Sequence, residues 1–231
     1  MSIYQDLSDR LTAHGLRTVG GFDVGSDDPI VLPSGQSAKS AVLIGNSGQG
    51  MWEHFSKSAE FALEQNPLEA WIRNILTAIA EDVTAHAVFP SDGPPYYPFQ
   101  QWAKRTGRAF SSPIGILITP DAGLWHAYRA AFLFDRNIDL PAPLEAPSPC
   151  ETCADQPCLT TCPVAAFSAE SYDVPACSAH LHTPQGPDCM EQGCRARRAC
   201  PVGRDHIYPP ALAAFHMSAF RASHPIGEIT E

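Results

Sequence analysis

The chain has 231 residues, 44% of them apolar and only 17% charged, with 15 basic side chains against 25 acidic ones for a formal charge of −10. At this length folding hides roughly 70% of the surface of the unfolded chain, so one or two globular domains can form without disulfide staples, and the eight cysteines need another explanation. The acidic balance excludes a general electrostatic grip on nucleic acid or an anionic membrane. The sequence also has no run of about 18 apolar residues and no basic, apolar start of a secretory signal, so a cytoplasmic protein is expected.

The first 149 residues hold no cysteine. Ser2 can cap a short helix in which Ile3, Leu7 and Leu11 recur every fourth residue and which Gly15 ends. Ala41-Val-Leu-Ile44 reads as a buried strand closed by Gly45. The loop Gly45-Asn-Ser-Gly48-Gln-Gly50 stands before a helix at Met51–Phe55; it reads as a flexible turn, with a phosphate cradle as the alternative. A longer helix starts at Asn66-Pro67, with Asn as cap and Pro at the first helical position, and turns Leu68, Ile72, Ile75, Leu76, Ile79 and Val83 to the core. His86–Phe89 and Ile114–Ile118 read as strands, and Leu124–Phe134 as a helix after the Pro120-Asp-Ala-Gly123 turn. This order predicts an α+β or mixed α/β domain over residues 1–139. Asp92, Tyr96, Tyr97, Asp121, His126 and Tyr128, all near turns, are candidate active-site groups; the predicted helix sets His126 and Tyr128 on opposite sides.

Four prolines between Asp139 and Pro149 predict an extended linker over residues 140–149. All eight cysteines then follow in residues 150–231, where Phe215, His216, Met217 and Phe220 are expected to pack the tail back on the body. Cys150, Cys153, Cys158 and Cys162 form one run and Cys177, Cys189, Cys194 and Cys200 a second, and each run ends in Cys-Pro-Val. Close thiolates let one loop wrap several corners of an iron–sulfur cube, and the following proline turns the chain away. The runs resemble those of bacterial two-cluster ferredoxins, in which the cysteine before proline ligates the other cluster. That resemblance implies one four-iron, four-sulfur cluster on Cys150, Cys153, Cys158 and Cys200, and a second on Cys177, Cys189, Cys194 and Cys162. The spacing departs from the ferredoxin pattern, with four residues after Cys153 where two are usual. Two zinc sites or four disulfides remain the alternatives, and His180 or His182 could replace a ligand. Arg195, Arg197 and Arg198 stand where guanidinium groups would stabilise a reduced, negative cluster, or else form a solvated basic turn.

The stretch Pro113–Trp125, continuing through Phe132-Leu-Phe134 to the Cys150 run, resembles the passage of epoxyqueuosine reductases that leads into a two-cluster ferredoxin module. Tyr97-Pro-Phe-Gln100, followed by Trp102, is similar to a motif of CblC-type cobalamin-processing proteins. The resemblance implies a nitroreductase-like domain that holds a cofactor, cobalamin with flavin as runner-up, reduced by single electrons through the clusters. It also implies a redox partner protein as electron donor and a small-molecule substrate, while the acidic charge and the lack of a long apolar run predict neither nucleic acid nor a membrane as partner. At the entry to the long helix the family's Asp-Tyr-His is replaced by Asn66-Pro67-Leu68, and Pro113-Ile-Gly115 lacks the family's Lys. The sequence ends soon after the cysteine segment, so an added tRNA-binding domain is not expected. The expectation is a related reductase that does not turn over epoxyqueuosine. The alternative is a ferredoxin-like carrier whose first domain binds a protein partner.

Overall fold

The computed structural model describes residues 2–27, 29–144, 146–168 and 171–226. Glu145 of the predicted linker and the tail beyond residue 226 lie outside them. The chain forms two compact units. The first comprises Met1–Ala109 and His126–Ala146, and the second comprises Phe110–Trp125 and Pro147–Glu231. The predicted boundary at 140–149 is therefore displaced. Most of the Pro-rich stretch stays with the first unit, and the segment 110–125 leaves it for the second. The physical reason is burial: Ile114, Ile118 and Leu124 share an apolar cluster with Cys158, Ala196 and Cys200.

In the first unit, α1 (Ile3–Thr12) is capped by the Ser2 hydroxyl, which accepts the Gln5 amide. It is followed by β1 (Arg17–Asp23), β2 (Ser40–Ser47) and the one-turn α2 (Gly50–Phe55). The sixteen-residue α3 (Pro67–Asp82), then β3 (His86–Val88) and α4 (Phe99–Arg105), come next. Asn66 precedes α3 as expected, but in the left-handed region (φ 48°) and with no side-chain hydrogen bond to the helix. Leu68, Ile72, Leu76, Ile79 and Val83 are buried, as their spacing predicts, and Trp71 joins them, whereas Ile75 is only half-buried.

The segment expected to be a helix from Leu124 is instead a nine-residue strand, His126–Phe134. With β4 (Phe110–Ser111) and β5 (Leu117–Ile118) pairing in the second unit, this strand is β6. The first-unit sheet runs β1-β2-β6-β3 with every neighbouring pair antiparallel. The alanines of β6 favour a helix, but β2 pairs along its whole length and β3 takes its other edge. Ala130–Phe134 are thereby fully buried. Gly45 does not end β2. The strand continues through it to Ser47 at an irregularity in register, where any Cβ would overlap the Ala127 carbonyl of β6. Of the predicted Ile114–Ile118 strand only β5 forms, because Gly115 turns the chain before it at φ 78°.

Among the described residues of the second unit the α-helices are α5 (Pro157–Thr160), α6 (Val174–Leu181), α7 (Pro187–Gln192), α8 (Arg195–Ala199) and α9 (Pro210–Ser223); Cys158, Cys177 and Cys189 lie within α5, α6 and α7, and Cys194 and Cys200 flank α8. Proline occupies the first turn of four of them, pre-set for a helix at a position that needs no amide donor. Among the described residues no helix is long and apolar enough to cross a membrane.

Candidate iron–sulfur centres

The second unit sorts its eight cysteines into two sets. Cys150, Cys153, Cys158 and Cys200 line one hollow, with Ile118, Leu124 and Val202 in its wall. Cys162, Cys177, Cys189 and Cys194 line another, with Phe167, Leu181 and Met217. The atom-free space, solvent-open parts included, is about 370 Å³ at the first and about 320 Å³ at the second. Each set therefore takes three residues from one run and the Cys-Pro residue from the other, the same grouping that the ferredoxin resemblance implies.

The exchange is made by α8. Cys194 is its N-terminal boundary and Cys200 its C-terminal one, so five residues carry the chain from one hollow to the other. Ala196, wholly buried between them, lines the second hollow and packs in the apolar cluster of the first.

At the second set the Ala166 amide donates to Cys162 Sγ at 3.3 Å. At the first set the Cys150 amide donates to the Ser148 hydroxyl at 3.3 Å, which fixes the start of the first run. Burial dominates the acidity of these thiols: it pushes Cys194 up to about 11 and also raises Cys150, Cys158, Cys177, Cys189 and Cys200. A low-dielectric pocket disfavours a bare thiolate, and it suits a thiolate whose charge is shared with a metal.

The three arginines of this region divide. Arg195 Nε donates to Asp188 Oδ2 at 2.6 Å, and Arg198 bonds the same oxygen, so one carboxylate, its acidity increased chiefly by Arg195, answers both. Arg197 instead donates from Nε and Nη2 to the Leu124 carbonyl at 3.0 and 2.6 Å. Its guanidinium lies 4.4 Å from the Trp125 ring and 4.6 Å from the Tyr208 ring. Its charge thus sits behind Leu124, a wall residue of the first hollow. His180 borders the second hollow as well, while His182 Nδ1 is engaged with the Ser178 carbonyl at 2.9 Å.

The candidate groups of the first domain do not converge. The Asp92 carboxylate takes Arg73 at 2.6 Å and the Phe89 amide at 2.9 Å, a turn-holding role. Tyr96 is 65% exposed, and Tyr97 packs on Trp102 with ring centroids 5.5 Å apart. Asp121 falls in the second unit. Because β6 is a strand, His126 and Tyr128 share one face, with rings 5.5 Å apart, where a helix would have separated them. In the Gly45–Gly50 loop the buried Asn46 accepts Arg129 Nε at 2.8 Å, so the loop's polar side chain faces the protein. A cavity of about 140 Å³, which the sequence reading did not anticipate, lies among Ile72, Arg73, Phe89, Ser91, Tyr128 and Arg129. It is smaller than the pockets that hold drug-sized ligands, about 300 Å³ and upward.

No protein-family model and no curated protein matches the chain. Among solved structures it is similar to the B12-trafficking protein CblC of C. elegans, a human MMACHC homologue, at 14% identity and a TM-score of 0.53 over 98% of this chain and 96% of that one. It is similar also to epoxyqueuosine reductase from Streptococcus thermophilus, at 13% identity and 0.53 over 92% of this chain and 70% of that one. An epoxyqueuosine reductase with an epoxyqueuosine-modified tRNA-Tyr stem loop gives 15% identity and 0.51 over 90% and 69%. At such identities the likeness speaks for the fold: the chain has the mixed α+β fold, built on an antiparallel sheet, that CblC and epoxyqueuosine reductase share.

Proposed function

We propose that the chain is an iron–sulfur redox protein that holds two four-iron, four-sulfur clusters and passes single electrons to a cobalamin carried by its first unit. It would be a reductase related in fold to epoxyqueuosine reductase and acting on a different substrate. The observation that carries this reading is the sorting of eight free thiols into two sets of four around two hollows. The donor set fits the clusters, for which four thiolates and hydrogen bonds to sulfur are the usual holding groups. Zinc fits less well. It needs four ligands converging on one ion with bonds of about 2.3 Å to sulfur, and among the described residues no three His, Cys, Asp or Glu side chains form such a group.

When bound, the clusters would supply one-electron storage and the corrin the bond-breaking chemistry. The chain's own part is to hold and to shield. Four cysteines would fix each cluster, and at the second the Ala166 amide on Cys162 would lower the cost of its negative charge. Leu124 and Val202 at one hollow, with Phe167 and Met217 at the other, restrict water. Asn66, a carboxamide at the entry to α3, cannot deliver the proton that a carboxylic acid would, so epoxyqueuosine turnover is not expected. Cobalamin rests on a narrower footing. The likeness to a B12-trafficking protein and the sequence resemblance support it, and the cavity of about 140 Å³ among Ile72, Tyr128 and Arg129, too small to enclose a corrin, is not offered as its site.

Anaerobic titration of the cluster-loaded protein with cobalamin tests the reading. The corrin spectrum should shift toward the form lacking its lower axial base, and a reduced ferredoxin should then reduce it at a rate that Cys200→Ala lowers by at least tenfold. No spectral change with ligand well above the protein concentration would remove cobalamin and leave the ferredoxin-like carrier.

A further inference from the structure

Beside the second hollow the second unit carries an open groove of about 780 Å³. Pro163, Val164, His180 and Arg195 line both, so these four residues form a wall common to the two. Helical spacing explains the division. On α6, Cys177, His180 and Leu181 border the hollow, whereas Ala176, Ala179 and His180, at the same i, i+3, i+4 spacing, border the groove. The alanines leave open the space that larger side chains would fill, and of this helix only His180 belongs to both faces. His180 is 9% exposed, yet among the described residues its imidazole makes no hydrogen bond, ion pair or ring contact. An unpaired buried polar group is costly, so this imidazole at the groove wall calls for a partner from the groove. Arg195 spends only Nε, on Asp188, and its side chain is 45% exposed. Its Nη groups remain for an anion, in the fork that suits a phosphate.

The groove has the size of pockets that hold cofactors, about 300–1,000 Å³, and mixes apolar surface with a few polar groups as they do. A ligand in it is separated from the second set of thiols by the shared wall alone. A cluster there exchanges electrons singly. That disfavours a nicotinamide, which gives hydride, and suits a flavin, which also gives single electrons. We propose that the groove binds flavin mononucleotide, with the phosphate on Arg195 and the ring against Ala176, Ala179 and the His180 imidazole, and that this flavin passes electrons to the second centre. In that step the anionic flavin hydroquinone loses one electron and becomes the neutral semiquinone, and the oxidised cluster gains that electron. No bond forms or breaks and no proton moves. The inference rests on the two-cluster reading and names an electron donor within it.

The test is an anaerobic fluorescence titration of the cluster-loaded protein with flavin mononucleotide and with riboflavin, which has the same ring and no phosphate. The wild-type protein should quench the mononucleotide and bind it about tenfold tighter than riboflavin, and Arg195→Gln should erase that preference. His180→Ala should weaken both flavins about tenfold. Ala179→Phe puts a ring at an exposed position of α6, so it should fill the groove and bind neither flavin while the iron stays at about eight atoms per chain. The electron paramagnetic resonance signal that Cys189→Ser alters identifies the second centre. With photoreduced flavin mononucleotide that signal should appear in the wild-type protein about tenfold faster than in Ala179→Phe. No binding, equal affinity for the two flavins, binding that survives Ala179→Phe, or equal rates in that variant would overturn the inference and leave the clusters in place. A wild-type protein without iron would instead refute the two-cluster reading beneath it.

Discussion

Replacing Cys200 by alanine is expected to remove the cluster of Cys150, Cys153 and Cys158 and to spare the other, halving the iron from about eight atoms per chain to about four. Replacing Cys162 should do the reverse, removing the cluster of Cys177, Cys189 and Cys194. The expectation follows from the crossing at α8, which ends in Cys200 on the first hollow although it begins at Cys194 on the second. Three remaining thiolates leave one iron corner open to solvent, and loss of an essential ligand costs metal affinity far more than loss of a supporting hydrogen bond. Iron analysis with resonance spectra of the two variants checks the point. Spectra in which each variant loses the cluster of its own run would show that the crossing is absent.

Gly203→Ala should lower the melting temperature of the second unit and speed the loss of the first cluster. Gly203 and Gly123 lie back to back. A Cβ on Gly203 would overlap the Ala122 carbonyl, and one on Gly123 would overlap the Val202 carbonyl. Both residues also have positive φ, 70° and 57°. The contact pins the segment bearing Ile114, Ile118 and Leu124 against the chain just after Cys200; Ile118 and Leu124 line the first hollow and Ile114 packs in the apolar cluster beside it. Backbone strain costs about 1–3 kcal/mol and overpacking about as much again. At about 2–4 °C per kcal/mol for a chain of this size the fall should be roughly 5–15 °C. Gly35→Ala is the control. Its φ is 82° but nothing lies within 4 Å of the added carbon, so only the strain should register. Equal melts for the two variants would mean that the glycine contact does not hold the wall.

What could be read from the sequence was local. Ser2 capping α1 and the 3.6-residue spacing of α3 describe elements whose boundaries and buried faces depend on near neighbours, and both are present. The ferredoxin resemblance implied two crossed sets of cysteines, and the same grouping lines the two hollows. Ala127–Ala131 were misread for the opposite reason. Their intrinsic preference is helical, and β2, more than eighty residues earlier, decides otherwise by pairing with them. The same mistake concealed that His126 and Tyr128 share a face. The Pro-rich stretch marks a change of composition along the chain, whereas the units divide by burial, so the segment 110–125 crossed a boundary that composition could not show.

The central claim is that each set of four cysteines holds a four-iron, four-sulfur cluster, and the iron, acid-labile sulfide and zinc content of protein purified without oxygen tests it most directly. The account predicts about eight iron and eight sulfide per chain, with a broad brown absorbance that bleaches on reduction. About two zinc atoms per chain, no sulfide and no colour would contradict it.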